Sequence, residues 1–156
     1  MSITVTTHLN LHGTAREALE FYLSVFGGES TLTTYGDLGM PADAPDAGRV
    51  VFGQVQAPGG FRLMAYDVPG ASGASTTTTA GSTTRSNGMT YTDQPFFVSV
   101  RGDSLEEVRR YWEGLTVGGT IVEDLAASAW SPGFGMVTDS FGVTWILDVA
   151  GEARTD

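Results

Sequence analysis

Two histidines, two strand-end aspartates and a pair of closely spaced aromatics are the residues whose types and spacing could do chemistry in this chain. His8 falls in Ile3-Thr-Val-Thr-Thr-His-Leu-Asn-Leu11, where Ile3, Val5, Leu9 and Leu11 alternate with Thr4, Thr6, His8 and Asn10. Apart from a slip of parity at Thr7, that is a strand with one polar face. An imidazole on that face is a candidate general base, or a hydrogen-bond donor to a ligand, because its ordinary pKa allows both near neutrality. His12 sits at the end of the strand and is expected in solvent. Asp67 and Asp148 close two similar runs, Tyr66-Asp-Val68 and Leu147-Asp-Val149. Carboxylates so placed can be solvated or paired with each other, or they can join His8 as ligands of a metal ion. Trp130 and Phe134, in Ala129-Trp-Ser-Pro-Gly-Phe134, are either core or the rim of a small-molecule site.

Other chemistries are excluded by what is missing. The chain has no cysteine, so disulfides, thiolate metal sites and cysteine nucleophiles are impossible. Serines are frequent, but no Gly-x-Ser-x-Gly elbow occurs and no second-half histidine could complete a triad. No Gly-x-x-x-x-Gly-Lys phosphate loop is present. A formal charge of −10 with only eight Lys and Arg residues, all of them arginine, argues against a nucleic-acid partner. No apolar run approaches membrane-spanning length and no signal-peptide pattern opens the chain, so a cytoplasmic protein with no membrane contact is expected.

The elements that must position these residues come in two similar sets. After the first strand, Gly13 breaks the pattern and Thr14-Ala-Arg-Glu17 reads as a capping box. Ala15, Ala18, Leu19, Tyr22, Val25 and Phe26 then form one helical stripe, which Gly27-Gly28 ends. A short strand spans 30–35, an acidic Pro/Gly loop 36–48, and a hairpin joins 49–56 to 61–68. From Gly70 to Gly88 the composition falls to Gly, Ala, Ser and Thr, broken only by Arg85 and Asn87. That stretch reads as a linker rather than a lid. The pattern then restarts: a strand over 94–101, a break at Gly102, a second box in Asp103-Ser-Leu-Glu106, and a stripe of Leu105, Val108, Trp112 and Leu115. Strands follow over 120–123 and in the hairpin that ends Met136-Val-Thr-Asp-Ser-Phe-Gly-Val-Thr-Trp-Ile-Leu-Asp-Val149.

An offset of about 89 superposes Gly13 on Gly102 and Glu17 on Glu106, and one of about 81 superposes Asp67 on Asp148. The chain is thus expected to be an α+β tandem of β-α-β-β-β modules forming a curved, mostly antiparallel eight-stranded sheet around a cavity. The expected layout is a single domain over 1–156, with modules at 1–69 and 93–150 and a linker at 70–92. By parity the wall of the cavity includes Thr6, His8 and Asn10, Phe97 and Ser99, Leu63, Ala65 and Asp67, and Thr144, Ile146 and Asp148. Trp145 is expected under a helix.

This plan resembles the vicinal oxygen chelate superfamily, which includes glyoxalase I, extradiol dioxygenases and bleomycin- and fosfomycin-resistance proteins. Leu11-His-Gly-Thr-Ala-Arg-Glu-Ala-Leu-Glu-Phe-Tyr-Leu-Ser-Val-Phe-Gly-Gly-Glu29 and Trp130-Ser-Pro-Gly-Phe-Gly-Met-Val-Thr-Asp-Ser-Phe-Gly-Val-Thr-Trp145 resemble its PhnB-like branch. Members of that branch are often labelled demethylubiquinone methyltransferase-like. No strand here is followed by the acidic, glycine-rich loop that S-adenosylmethionine would need.

The resemblance implies a divalent metal held by His or Glu from four strands. Counting along this sequence puts those positions near Thr6, Pro95, Ala65 and Ile146, none of which can ligate. No metal and no cofactor are therefore expected. The function expected is small-molecule binding of the bleomycin-resistance type, toward an uncharged or weakly basic ligand. His8, Asn10, Leu63, Asp67, Phe97, Trp130, Phe134, Ile146 and Asp148 are the residues expected to line the site. The resemblance also implies a homodimer. The alternative is a metal-dependent lyase, isomerase or dioxygenase built on His8 and the two aspartates.

Overall fold

The computed structural model describes residues 2–70 and 81–151. The chain divides into two compact units, 1–78 and 79–156. In the first, β1 (Thr7–Leu11) leads into α1 (Ala15–Phe26), followed by β2 (Glu29–Thr34), β3 (Val50–Gln56) and β4 (Arg62–Asp67). The sheet order is β1-β4-β3-β2, with β1 parallel to β4 and the other pairs antiparallel. The helix buries Ala15, Ala18, Leu19 and Tyr22 against Leu9, Leu11, Val50, Val55, Leu63 and Ala65. Those are the helical stripe and alternate strand positions that amphipathic patterning requires. The helix lies so close on β3 that a side chain at Gly53 would run into Leu19 Cδ1.

The second unit repeats the plan. Strand β7 (Val98–Gly102) leads into α2 (Leu105–Leu115), followed by β8 (Thr120–Ala126), β9 (Phe134–Thr138) and β10 (Thr144–Val149), in the sheet order β7-β10-β9-β8. Here β7 is parallel to β10, and Val108 and Leu115 of α2 are buried. Trp145, Leu147 and Val149 lie on the helix side and are buried, as their parity requires. The Trp145 indole N–H donates to Asp139 Oδ2 at 2.9 Å, so the one polar atom of that ring is satisfied. The eight module strands thus fill two four-stranded sheets, one per unit.

Three expectations change. Residues 3–6 are not in a strand, and Ile3 and Val5 are 92% and 90% exposed. Part of the stretch expected to be linker is structured: β5 (Thr83–Ser86) pairs antiparallel with β6 (Met89–Thr92). Asn87 and Gly88 between them have φ of 52° and 76°. Two positive φ values are what a tight two-residue hairpin turn demands, and Asn-Gly supplies them at least cost. Residues 71–80 of that stretch lie outside the described residues.

The helix caps also differ from expectation. Thr14 makes no side-chain cap; instead Asp67 Oδ1 accepts from the Ala15 and Gly13 N–H groups. The second cap falls one residue later than read, with Ser104 Oγ accepting from the Glu107 N–H at 3.2 Å.

Candidate functional site

Each sheet has one face covered by its helix and one turned away from it, and pairing register decides which residues share a face. In the first unit the Gly53 and Ala65 positions pair and face α1, so Leu9, Leu11, Leu63 and Asp67 face it too. The face away from α1 carries His8, Asn10, Met64 and Tyr66. His8 is exposed, its Nδ1 lies 3.2 Å from Asn10 Oδ1, and its ring meets Tyr66 edge-on at 5.2 Å. His8 and Asn10 therefore lie together on the helix-free face, as expected.

Leu63 and Asp67 do not. Leu63 is fully buried in the core under α1. Asp67, 2% exposed, accepts from the backbone N–H groups of Gly13, Ala15 and Val50 at 2.8–3.0 Å. Its negative charge at the start of α1 also suits the helix dipole. Its backbone carbonyl accepts from the Tyr35 hydroxyl at 2.7 Å. Desolvation first, then Tyr66 and the carboxylates of Asp46 and Asp67, raises the Tyr35 phenol above its ordinary pKa and keeps it a donor at neutral pH.

The cause of the misplacement is a one-residue slip in the echo. Val68 N–H donates to the Leu11 carbonyl, and its counterpart is Ala150 N–H donating to the Gly102 carbonyl. The equivalent of Asp67 is thus Val149, and the equivalent of Asp148 is Tyr66. His8 and Asp67 sit on opposite faces of one sheet and cannot converge on one ion.

In the second unit Thr144, Ile146 and Asp148 face away from α2, in register with Thr138, Met136 and Phe134 of β9. Ile146 is half-buried at that face. Asp148 is 7% exposed and bound by Arg101, whose Nη2 lies 2.8 Å from Oδ2 and whose Nε lies 3.2 Å from both oxygens. That hydrogen bonding, with the charge behind it, raises the Arg101 pKa further. Phe97 is half-buried just ahead of β7. Trp130, 61% exposed, meets the Phe134 ring edge-on at 5.5 Å.

Sequence reasoning missed Arg85 and Thr90, cross-strand partners on one side of the β5–β6 hairpin. The Arg85 guanidinium lies 5.1 Å from the centre of the Phe134 ring, and its Nε is 3.5 Å from Glu123 Oε2. Nη1 donates to Thr90 Oγ1 at 2.8 Å, and Thr90 Oγ1 reaches Met136 Sδ at 3.8 Å. The signal that could have found them is Asn87-Gly88 between two runs rich in Thr, Met and Tyr. Among the described residues, the helix-free face of this unit offers an aromatic surface, two cations in Arg85 and Arg101, and carboxylates at Glu123 and Asp148.

This fold and these faces define a class. A family model described as Glyoxalase/Bleomycin resistance protein/Dioxygenase superfamily matches residues 11–147, and the chain belongs to that superfamily. Among solved structures it is similar to protein PA1353 from Pseudomonas aeruginosa, with 28% identity, 96% and 98% of the two chains covered, and a TM-score of 0.73. A Bacillus cereus structure described as a putative 3-demethylubiquinone-9 3-methyltransferase, PhnB protein, is 25% identical over 95% and 100% of the chains, with a TM-score of 0.66. YjdN of Escherichia coli is 33% identical over 60 residues, 38% of this chain and 41% of its own length.

Proposed function

We propose that the chain is a small-molecule-binding protein that holds an uncharged or weakly basic organic ligand on the helix-free faces of its sheets and works without a resident metal ion. The observation that carries this reading is the Trp130–Phe134–Arg85 cluster, an aromatic surface with a polar handle. His8, Asn10 and Tyr66 form a second polar-aromatic group on the corresponding face of the first unit.

The donor set does not fit a divalent ion. Among the described residues no three His, Cys, Asp or Glu side chains gather, Asp148 is held by Arg101, and Asp67 is committed to backbone N–H groups. Methyl transfer, named for the Bacillus cereus protein, has no support in these residues either. A homodimer in the cytoplasm, without nucleic-acid partners, completes the proposal by family resemblance and charge.

The test is metal analysis of protein purified without chelators, followed by a thermal-shift screen of aromatic ligands. The expected result is metal well below one ion per chain and a rise in melting temperature with flat, uncharged compounds. Stoichiometric zinc, nickel, manganese or iron, lost with activity on chelation, would instead support the lyase, isomerase or dioxygenase alternative.

A further inference from the structure

Resting on that reading, we infer that the β5–β6 hairpin is a strap over the helix-free face of the second sheet. Arg85 within it selects flat ligands that carry a neutral carbonyl oxygen.

The hairpin is built inside out for a permanent core element. Arg85 and Thr90 turn toward Glu123, Phe134 and Met136. The apolar Met89 and Tyr91 are on its other side, 55% and 54% exposed. Over the sheet it is held by an ion pair to a carboxylate that is 46% exposed, a cation over one ring, and a long hydroxyl–sulfur contact, and at its foot Thr83 bonds Gln94, which donates to the Gly142 carbonyl. The contacts over the sheet are few, so the strap can lift about its anchor at Gln94 without disturbing the sheet's own ladder.

The buried side of the strap carries an unmet demand. Arg85 Nε is buried and has no hydrogen-bond acceptor; Glu123 Oε2 stays at 3.5 Å, at ion-pair range. A buried N–H in that condition is costly, and an acceptor brought in by a ligand relieves it. Glu123 already balances the charge, so a second carboxylate would face repulsion while a carbonyl oxygen would not. The Phe134 ring against Arg85, with the exposed Trp130 edge-on to Phe134, favours a flat, apolar frame around that oxygen.

The test titrates the 156-residue chain with methyl naphthyl ketone and with isopropenylnaphthalene, which differ only in C=O against C=CH2. Quenching of tryptophan fluorescence reports binding, and hydrogen exchange reports the hairpin. The parent protein should prefer the ketone by about tenfold, the value of one hydrogen bond to a charged donor. Arg85→Met should lose that preference while its affinity for the alkene stays within about twofold of the parent. Arg85→Lys keeps charge and stem but has no Nε, and should lose it as well; circular dichroism confirms that both variants are folded. Amides of residues 83–92 should exchange more slowly with the ketone bound. If both probes bind the parent equally, if the preference survives in both variants, or if exchange in the hairpin is unmoved, this inference falls while small-molecule binding stands. If neither probe binds and a broad panel leaves the melting temperature unchanged, the binding reading itself fails and takes the inference with it.

Discussion

The Asp67 carboxylate gathers three backbone N–H groups from Gly13, Ala15 and Val50, joining the end of β4, the start of α1 and the start of β3. Buried hydrogen bonds to a charged acceptor are among the stronger polar ties in a fold. Asp67→Asn puts an amide NH2 against a backbone donor, and we expect a loss of about 3 kcal/mol in urea denaturation. The melting temperature should fall by roughly 6–12 °C. Ligand affinity of the folded variant should be unchanged, because the residue faces the core. The two helix starts allow a paired comparison. Ser104→Ala removes a cap that is made, and should cost about 1 kcal/mol. Thr14→Ala removes one that is not, and should stay within about 0.5 kcal/mol of the parent by the same measurement. Equal effects would mean that Thr14 caps α1 in solution after all.

Elements meet where side chains leave room. Gly53 lies beneath α1, and its conformation is one any residue can adopt, so the constraint is space alone. Gly53→Ala should cost about 2 kcal/mol through overpacking against Leu19, read from the denaturation midpoint. An unchanged midpoint would show that α1 can shift outward without loss. The β5–β6 hairpin shows the opposite case, an element legible in two residues yet hidden by its neighbours. Asn87-Gly88 carries the turn, but the surrounding Gly, Ala, Ser and Thr read as linker because composition averages away a local signal. Arg85, the one cation in that run, looks idle in sequence and acquires contacts only when Glu123 and Phe134 are brought to it.

At the scale of the molecule, the −10 charge is a property no folding can hide. Mixed with duplex DNA at low salt, where phosphate attraction is strongest, the protein should cause no gel retardation. Retention would require a concentrated basic face that eight arginines are too few to supply.

The duplicated β-α-β-β-β plan, the helical stripes, Trp145 under its helix and the placement of His8, Asn10, Ile146 and Asp148 on helix-free faces were all determined by periodicity and punctuation. Those are local properties, and a strand or helix obeys them wherever it packs. Which way Asp67 points was decided only in three dimensions. The similar endings Tyr66-Asp-Val68 and Leu147-Asp-Val149 differ by one step in their pairing with β1 and β7, and one step along a strand exchanges its faces. Arg85 over Phe134 and Arg101 on Asp148 were likewise settled by tertiary structure, because contacts between distant segments depend on register, and no short window of residues contains it.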